Sequence, residues 1–315
     1  MSTDLDIAAS LRQALNKAQD DSNPLVDRVR WLSQMGFTID EFFAGLVTGK
    51  GSHPDVKDIA QAVLPVETNG LRAEIIRVMD QAVNCFHNSI EPALRTRGIY
   101  IRSYAELPAP QQRRVDKFFR ETALPVLTPL GFDPGRPFPR ISNLSVNLAL
   151  LIRDKQGRKR FARLKVPEGL PQLLRVDGKP ENAGGTTEQT FIWLEDLITA
   201  NLAELFPGLD VVRAHPFRII RGKEIALGAM PNGRKTAEKS LYRNRCGRVV
   251  QLQIGRQMPA SMLQILTRNL EVRPSGVYRL DGFVSLSRLS HVAVIDVHTP
   301  KNAPRAERGP LSLSA

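Results

Sequence analysis

The sequence predicts an α + (α+β) fold. A helical bundle occupies about residues 1–106, a mixed helix-and-strand domain residues 107–297, and a disordered tail residues 298–315. Three observations carry this. Apolar residues before Tyr100 recur at spacings of three and four. A period-two alternation begins at Asn143 and reappears further on. The first two alternating segments are separated only by Asp154-Lys155-Gln156-Gly157, a hairpin turn rather than a long crossover.

Taken in order, "LDIAASLRQALNKA" places Leu5, Ala8, Leu11 and Leu15 on one helix face. Asn23-Pro24 marks a new helix, with Asn as cap and Pro in the first turn. "LVDRVRWLSQMGFTIDEFFAGLVTG" continues helix-periodic, with an interruption expected at Gly36. A long amphipathic helix follows from Leu71 to Arg97, and Gly98 stops it. Pro108 and Pro110 stiffen a link into a short helix bearing Val115, Phe118 and Phe119, which Pro125 and Pro129 end. The proline-rich lead-in from Pro129 feeds a half-buried strand whose polar Asn143, Ser145 and Asn147 alternate with Leu144, Val146 and Leu148. "KRFARLKVP" suits its partner strand.

"GKPENAGGTTEQ" reads as a loop, and "FIWLEDLITANLAELFPG" as a strand or turn entering a helix closed by Pro207-Gly208. "DVVRAHPFRIIRG" is a strand whose internal proline calls for a sheet edge or a bulge at His215-Pro216. "TAEKSLYRNRCG" reads as a helix, "RVVQLQI" as a strand, "PASMLQILTRNL" as a helix with Pro259 in its first turn, and "VYRLDG" as a last strand. The tail "HTPKNAPRAERGPLSLSA" has almost no core-forming content.

The 315 residues suffice for two ordinary domains. An apolar fraction of 42% and a charged fraction of 24% are those of a soluble globular chain. No apolar run reaches the roughly 20 residues that span a bilayer, and the polar, acidic "MSTDLDIAAS" is not a secretory signal. Cys85 and Cys246 form no C-x-x-C pair, so a reducing cytoplasm is expected rather than a disulfide framework.

The net charge of +12 favours a polyanionic partner: nucleic acid, inorganic polyphosphate, a nucleotide or an acidic membrane. The densest basic stretch runs from Arg213 to Arg248. Its polyanion-binding candidates are Arg218, Arg221, Arg234, Lys235, Lys239, Arg243, Arg245 and Arg248. Only Phe217 and Tyr242 interleave with them, so no base-stacking platform and no specific nucleic-acid partner is indicated.

There is no G-x-x-x-x-G-K-[ST] or G-x-G-x-x-G loop. None of His53, His87, His215, His291 and His298 has metal-ligand spacing with another ligating residue, and no nucleophile signature is visible. No catalytic or metal-ligating residue is therefore assigned. The carboxylates of "DEFF", Asp40 to Phe43, are adjacent on a helix and point about 100° apart, which suits structure better than acid/base work.

Seven segments together resemble the polyphosphate kinase family of the histidine-phosphorylated, polyphosphate-synthesising type. They are "NPLVDRVRWL", "IDEFF", "RRVDKFFRETALPVLTPLGFDPGRPFPRISNLSVNLALLIRD", "RFARLKVPEGLP", "WLEDLITANLAELFPG", "AHPFRIIRG" and "GVYRLDG". They follow the family's order from Asn23 to Leu289. The resemblance implies a helical N-terminal domain and a mixed head domain, the first two of the family's four.

It also implies the family reaction, reversible transfer of the ATP γ-phosphate to polyphosphate through a phosphohistidine, with ATP and magnesium as cofactors of the full-length enzyme. The phosphorylated histidine, the magnesium site and much of the phosphate pocket belong to the family's C-terminal domains. None of the five histidines here matches that residue, so this chain alone is expected to be inactive, as a truncated product would be. Thr38 stands where the family's "SSNLDEFF" has a nucleotide-contacting Asn. One hydroxyl does not reproduce a carboxamide's donor and acceptor pair. The head domain of the family resembles a dimerisation element. The expected partners are thus a second copy, a full-length polyphosphate kinase, or polyphosphate itself.

Overall fold

A computed structural model describes residues 2–48, 70–132, 138–177, 188–224 and 247–295. Two helices open it, α1 (Ser2–Gln19) and α2 (Leu25–Gly45). Asn23 joins them differently from the expectation. Its side-chain amide donates to the Lys17 carbonyl at 3.0 Å and so closes α1, while Pro24 takes the cap position of α2. A residue without an N–H is harmless there, because the first helical N–H groups lack partners in any case.

Nor is α2 interrupted at Gly36. The helix runs straight through, and the glycine serves a close approach. A Cβ at Gly36 would lie 2.0 Å from the Ser287 backbone nitrogen and 2.6 Å from the Leu286 carbonyl carbon. The predicted Leu71–Arg97 helix is one rod in three parts: α3 (Leu71–Cys85), a π-turn at Phe86–Ile90, and α4 (Glu91–Arg95). Gly98 ends it at φ 75°, a conformation that suits a residue without Cβ.

After β2 (Ile99–Ile101), Ser103 and Glu106 form a reciprocal capping box on a 3₁₀ turn. Then comes α5 (Ala109–Phe118), with Pro110 in its first turn, and a second π-turn at Phe119–Ala123. The remaining elements are β3 (Pro129–Phe132), β4 (Val146–Arg153), β5 (Lys159–Lys165), β6 (Leu173–Arg175), β7 (Gln189–Trp193), α6 (Leu194–Ala200) and α7 (Leu202–Leu205). They continue with β8 (Asp210–Arg221), β9 (Lys223–Glu224), β10 (Val249–Gly255), α8 (Ala260–Leu270), β11 (Val277–Leu280) and α9 (Ser290–Ala293). β1 (Val47–Thr48) pairs with β9. The predicted helix at "TAEKSLYRNRCG" and the predicted tail lie outside the described residues.

Six strands form the main sheet in the order β11-β10-β8-β4-β5-β3, and β2-β7-β6 form a smaller one. The Asp154–Gly157 hairpin is present, with Gly157 N–H donating to the Asp154 carbonyl at 2.9 Å. β4 differs from its expectation. Its alternation promised one polar face in water, yet Val146, Asn147, Leu148, Ala149 and Leu150 are all buried, because β4 is central and both faces are covered. The polar residues are retained by pairing: Asn147 donates to the Ser145 carbonyl at 2.9 Å and accepts from Arg163 Nε at 2.7 Å.

β8 is likewise internal rather than an edge, but its ladder with β10 ends at Phe217. Pro216 therefore sits where β8 has a neighbour on one side only, and its missing N–H is tolerated. The register shift lies a few residues away, opposite Leu151 and Ile152.

Three cores follow from these layers. One lies between the sheet and α5–α7, and one beneath α8. The largest fills α1–α4 and also takes in Tyr278, Phe283, Leu286, Leu289 and Val292 from the far end of the chain. Burying Phe283, Leu286, Leu289 and Val292 is worth roughly 6–12 kcal/mol before entropy is charged. A domain's whole net stability is about 5–15 kcal/mol. The last described segment is thus part of the helical core.

Candidate functional site

The seam between α2 and the main sheet brings together two of the sequence segments singled out above. Asp40, from "IDEFF", is buried on α2, and Arg218, from "AHPFR", is buried on β8. Their contact is bidentate, Nη1 to Oδ1 at 2.7 Å and Nη2 to Oδ2 at 2.6 Å. Nη1 also donates to Gln253 Oε1 at 3.0 Å, and Nε donates to the Leu144 carbonyl at 2.9 Å. Leu144 adopts φ 62°, which is unusual for a branched residue, while its own N–H bonds the Ile219 carbonyl at 2.9 Å.

This geometry removes Arg218 from the polyanion-binding candidates. Its donors are spent inside the protein and no ligand reaches them. The expectation followed charge density alone, which does not report which way a strand residue faces. Arg221 is half-buried and braced on backbone, with Nη1 to the Gly247 carbonyl at 3.0 Å and Nη2 to the Ile141 carbonyl at 3.1 Å. Arg248 is exposed. Arg234, Lys235, Lys239, Arg243 and Arg245 lie outside the described residues.

Thr38 is half-buried on α2, between exposed Phe37 and buried Ile39. Among the described residues no three His, Cys, Asp or Glu side chains cluster as metal ligands, so the residues present do not assemble a magnesium site. The imidazoles are placed for other tasks. His87 stacks on Phe283, with ring centroids 5.4 Å apart, and its Nδ1 meets Glu91 Oε2 at 2.9 Å. His215 lies on β8 with Nε2 buried and unpartnered; burial first, then the Arg213 charge, pushes its pKa down. Burial also lowers the pKa of His291, and Arg288 adds to the effect. His53 and His298 lie outside the described residues.

A second buried ion pair ties α6 to the 3₁₀ turn Leu286–Leu289. Arg288 grips Glu195 with both Nη atoms and lies over the Trp193 ring, 4.6 Å from its centroid. A cleft of about 540 Å³ opens between α3, α8 and β11, with Ile76, Leu263 and Val277 as apolar wall and Arg72, Arg256 and Arg279 as cations. Those cations are largely committed. Arg72 donates to the Ser275 and Val277 carbonyls at 2.6 and 2.9 Å, and Arg256 pairs with Asp281 at 2.7 Å and Asp80 at 3.2 Å. The cleft can take a small amphipathic group, but it is not a charge clamp for phosphoryl transfer.

Sequence reading missed both buried pairs as pairs. A signal existed for one of them: Asp40 and Arg218 each interrupt an apolar run at a core-facing position, and a buried charge requires a partner.

Comparison with known proteins gives a consistent result. Residues 110–292 match the polyphosphate kinase middle domain, and residues 5–102 match the polyphosphate kinase N-terminal domain. Polyphosphate kinase 1 of Chlorobaculum tepidum is 36% identical over 301 residues, covering 93% of this chain and 43% of the relative. The polyphosphate kinase of Mycobacterium tuberculosis is 34% identical over 302 residues, covering 92% and 41%. The crystal structure of polyphosphate kinase from Porphyromonas gingivalis superposes with a TM-score of 0.71 at 21% identity, covering 95% of this chain and 42% of that one, a likeness of fold. The chain thus spans about two fifths of the length of these relatives. With both domain matches in sequence order and together covering most of its residues, this chain belongs to the polyphosphate kinase family.

Proposed function

We propose that this chain supplies the helical N-terminal and mixed head domains of a cytoplasmic polyphosphate kinase. The enzyme's reaction is reversible γ-phosphoryl transfer from ATP to polyphosphate through a phosphohistidine, and the 315-residue chain does not perform it alone. Phosphoryl transfer needs a nucleophile, a metal and a cationic clamp held together. The observation that supports inactivity is the placement of the described imidazoles. His87 is held by Glu91 and Phe283, and His215 and His291 lie beside arginines without a metal-ligating cluster.

The test is to incubate the purified chain with γ-labelled ATP and magnesium. No acid-labile label and no polyphosphate are expected, and either product overturns the assignment. On this reading ATP and magnesium engage the full-length enzyme, with Thr38 at most a single hydrogen-bonding hydroxyl near the nucleotide.

A non-catalytic reading has one specific observation in its favour. The head domain presents apolar surface beside its edge strand β3, with Val126 55% and Leu130 38% exposed. Such an edge suits pairing with a second copy or with a full-length polyphosphate kinase. A strictly monomeric chain at high concentration, unresponsive to the full-length enzyme, rules it out. Polyphosphate binding by the basic stretch falls to Arg248 and the residues outside those described. Equal binding of polyphosphate and RNA of matched charge would reduce it to generic electrostatics.

A further inference from the structure

The cleft between α3, α8 and β11 lies where the helical bundle meets the main sheet. Its volume of about 540 Å³ is that of a small-molecule pocket, for which roughly 300–1,000 Å³ is usual. Ala260 and Thr267 both line it, so it follows α8 for about 10 Å.

Its chemistry is ordered along that length. Arg279 marks one end, because its Nη1 donates to the carbonyl of Arg256, just before α8 begins, at 3.2 Å. Val272 and Pro274, which follow α8, mark the other. Each wall is apolar in the middle. Leu263 stands between Ala260 and Thr267 on α8, and Val277 between Pro274 and Arg279. On α3, Arg72 donates to the Val277 carbonyl at 2.9 Å and Asp80 meets Arg256 at 3.2 Å, with Ile76 between them.

The three cations differ in the donors they leave open. Arg256 is answered by Asp281 and Asp80. Arg72 commits Nε and Nη2 to the Ser275 and Val277 carbonyls. Arg279, half-buried, has no carboxylate among the described residues, and its Nε and Nη2 make no bond with any of them. That edge of a guanidinium presents two parallel N–H donors, the arrangement a carboxylate accepts. Three cations against Asp80 and Asp281 also leave one positive charge without an answer. A bare oxyanion would leave the apolar walls uncovered, so the occupant that fits carries hydrocarbon as well as charge.

We propose that this cleft binds a small amphipathic carboxylate of the medium-chain fatty acid type. Its head group lies on the Nε–Nη2 edge of Arg279, and its hydrocarbon runs past Leu263, Ile76 and Val277 toward Val272. Such an acid touches α3, α8 and β11 together and tightens the union of the bundle with the sheet. The site does not rest on the phosphoryl-transfer reading.

Calorimetry and thermal unfolding of the full chain with octanoate, octanol and acetate test it. Octanoate below its micelle concentration should bind and raise Tm. It should bind about tenfold or more tightly than octanol, which lacks the charge, or acetate, which lacks the tail. Arg279→Met should lose about tenfold or more of the octanoate affinity, and Leu263→Gln a smaller factor. In the unmodified chain, octanoate should move the methyl resonances of Ile76, Leu263 and Val277. Octanol or acetate binding as tightly as octanoate, affinity unchanged in Arg279→Met, or unmoved methyl resonances in the unmodified chain overturns the site.

Discussion

Gly36→Ala is the sharpest available probe of how the two ends of the chain meet. On helix propensity alone the substitution should stabilise α2 by about 1 kcal/mol. The structure reverses that sign. The new methyl would sit 2.0 Å from Ser287 N and 2.6 Å from Leu286 C, both backbone atoms, whereas ordinary contact begins at 3.4 Å. The 3₁₀ turn must therefore retreat by more than an ångström. That retreat stretches the bond from Ser33 Oγ to the Ser287 carbonyl, already 3.4 Å, and loosens Leu286 and Leu289 in the core. Overpacking of this kind costs about 1–3 kcal/mol, and here the obstacle is backbone rather than a side chain that can rotate. Because the obstacle is backbone, the upper end of that range applies, and a net loss of up to about 2 kcal/mol is expected after the helix gain is deducted.

Gly45→Ala, near the end of the same helix, meets nothing within 4 Å and serves as control; it should be neutral or slightly stabilising. Urea unfolding followed by tryptophan fluorescence reads both, since Trp31 lies in α2. If Gly36→Ala proves as stable as Gly45→Ala, the claim that the last described segment is pressed onto α2 is wrong.

Asp40→Ala should cost about 3–5 kcal/mol by stranding Arg218, while Asp40→Ala with Arg218→Met should recover most of that loss; a double variant no better than the single one refutes the pairing. Asp196 gives a pH test. Burial, then the neighbouring Glu195 charge, raises its carboxyl from 3.8 to about 7. The folded state therefore holds a proton that the unfolded chain has released between about pH 4 and 7, and stability falls as pH rises through that window. Asp196→Asn should gain on the parent at pH 8 and not at pH 4, and a pH-independent difference between the two in urea unfolding counts against the shift.

Helix positions were legible in the sequence wherever one face had to be apolar: Leu11 and Leu15 on α1, and Ile75, Met79 and Ile90 on the long rod, are core residues as the spacing implied. Strands β4, β5, β8, β10 and β11 were equally plain, whereas the short β2, β3 and β6 were not anticipated. What periodicity does not encode is which sheet face is covered and by what. Asn147 looked solvent-facing because alternation usually means one wet face, yet here both faces are roofed. Gly36 looked like a helix break because propensity is local, whereas its reason lies 251 positions away at Ser287. The candidate site suffered similarly. Charge counting ranked Arg218 with exposed Arg248, although one neutralises Asp40 and the other faces solvent.

Ser33 and Ser287 touch although 254 residues separate them. At about 5–20 residues per second, a ribosome takes roughly 13–50 s to travel between those codons. Throughout that interval the nascent helices hold the greasy side of α2 without its eventual lid. The bundle at the start of the message is thus among the last parts of the protein to be finished, and a chaperone that shields it for tens of seconds would act where the newborn chain is most exposed to aggregation.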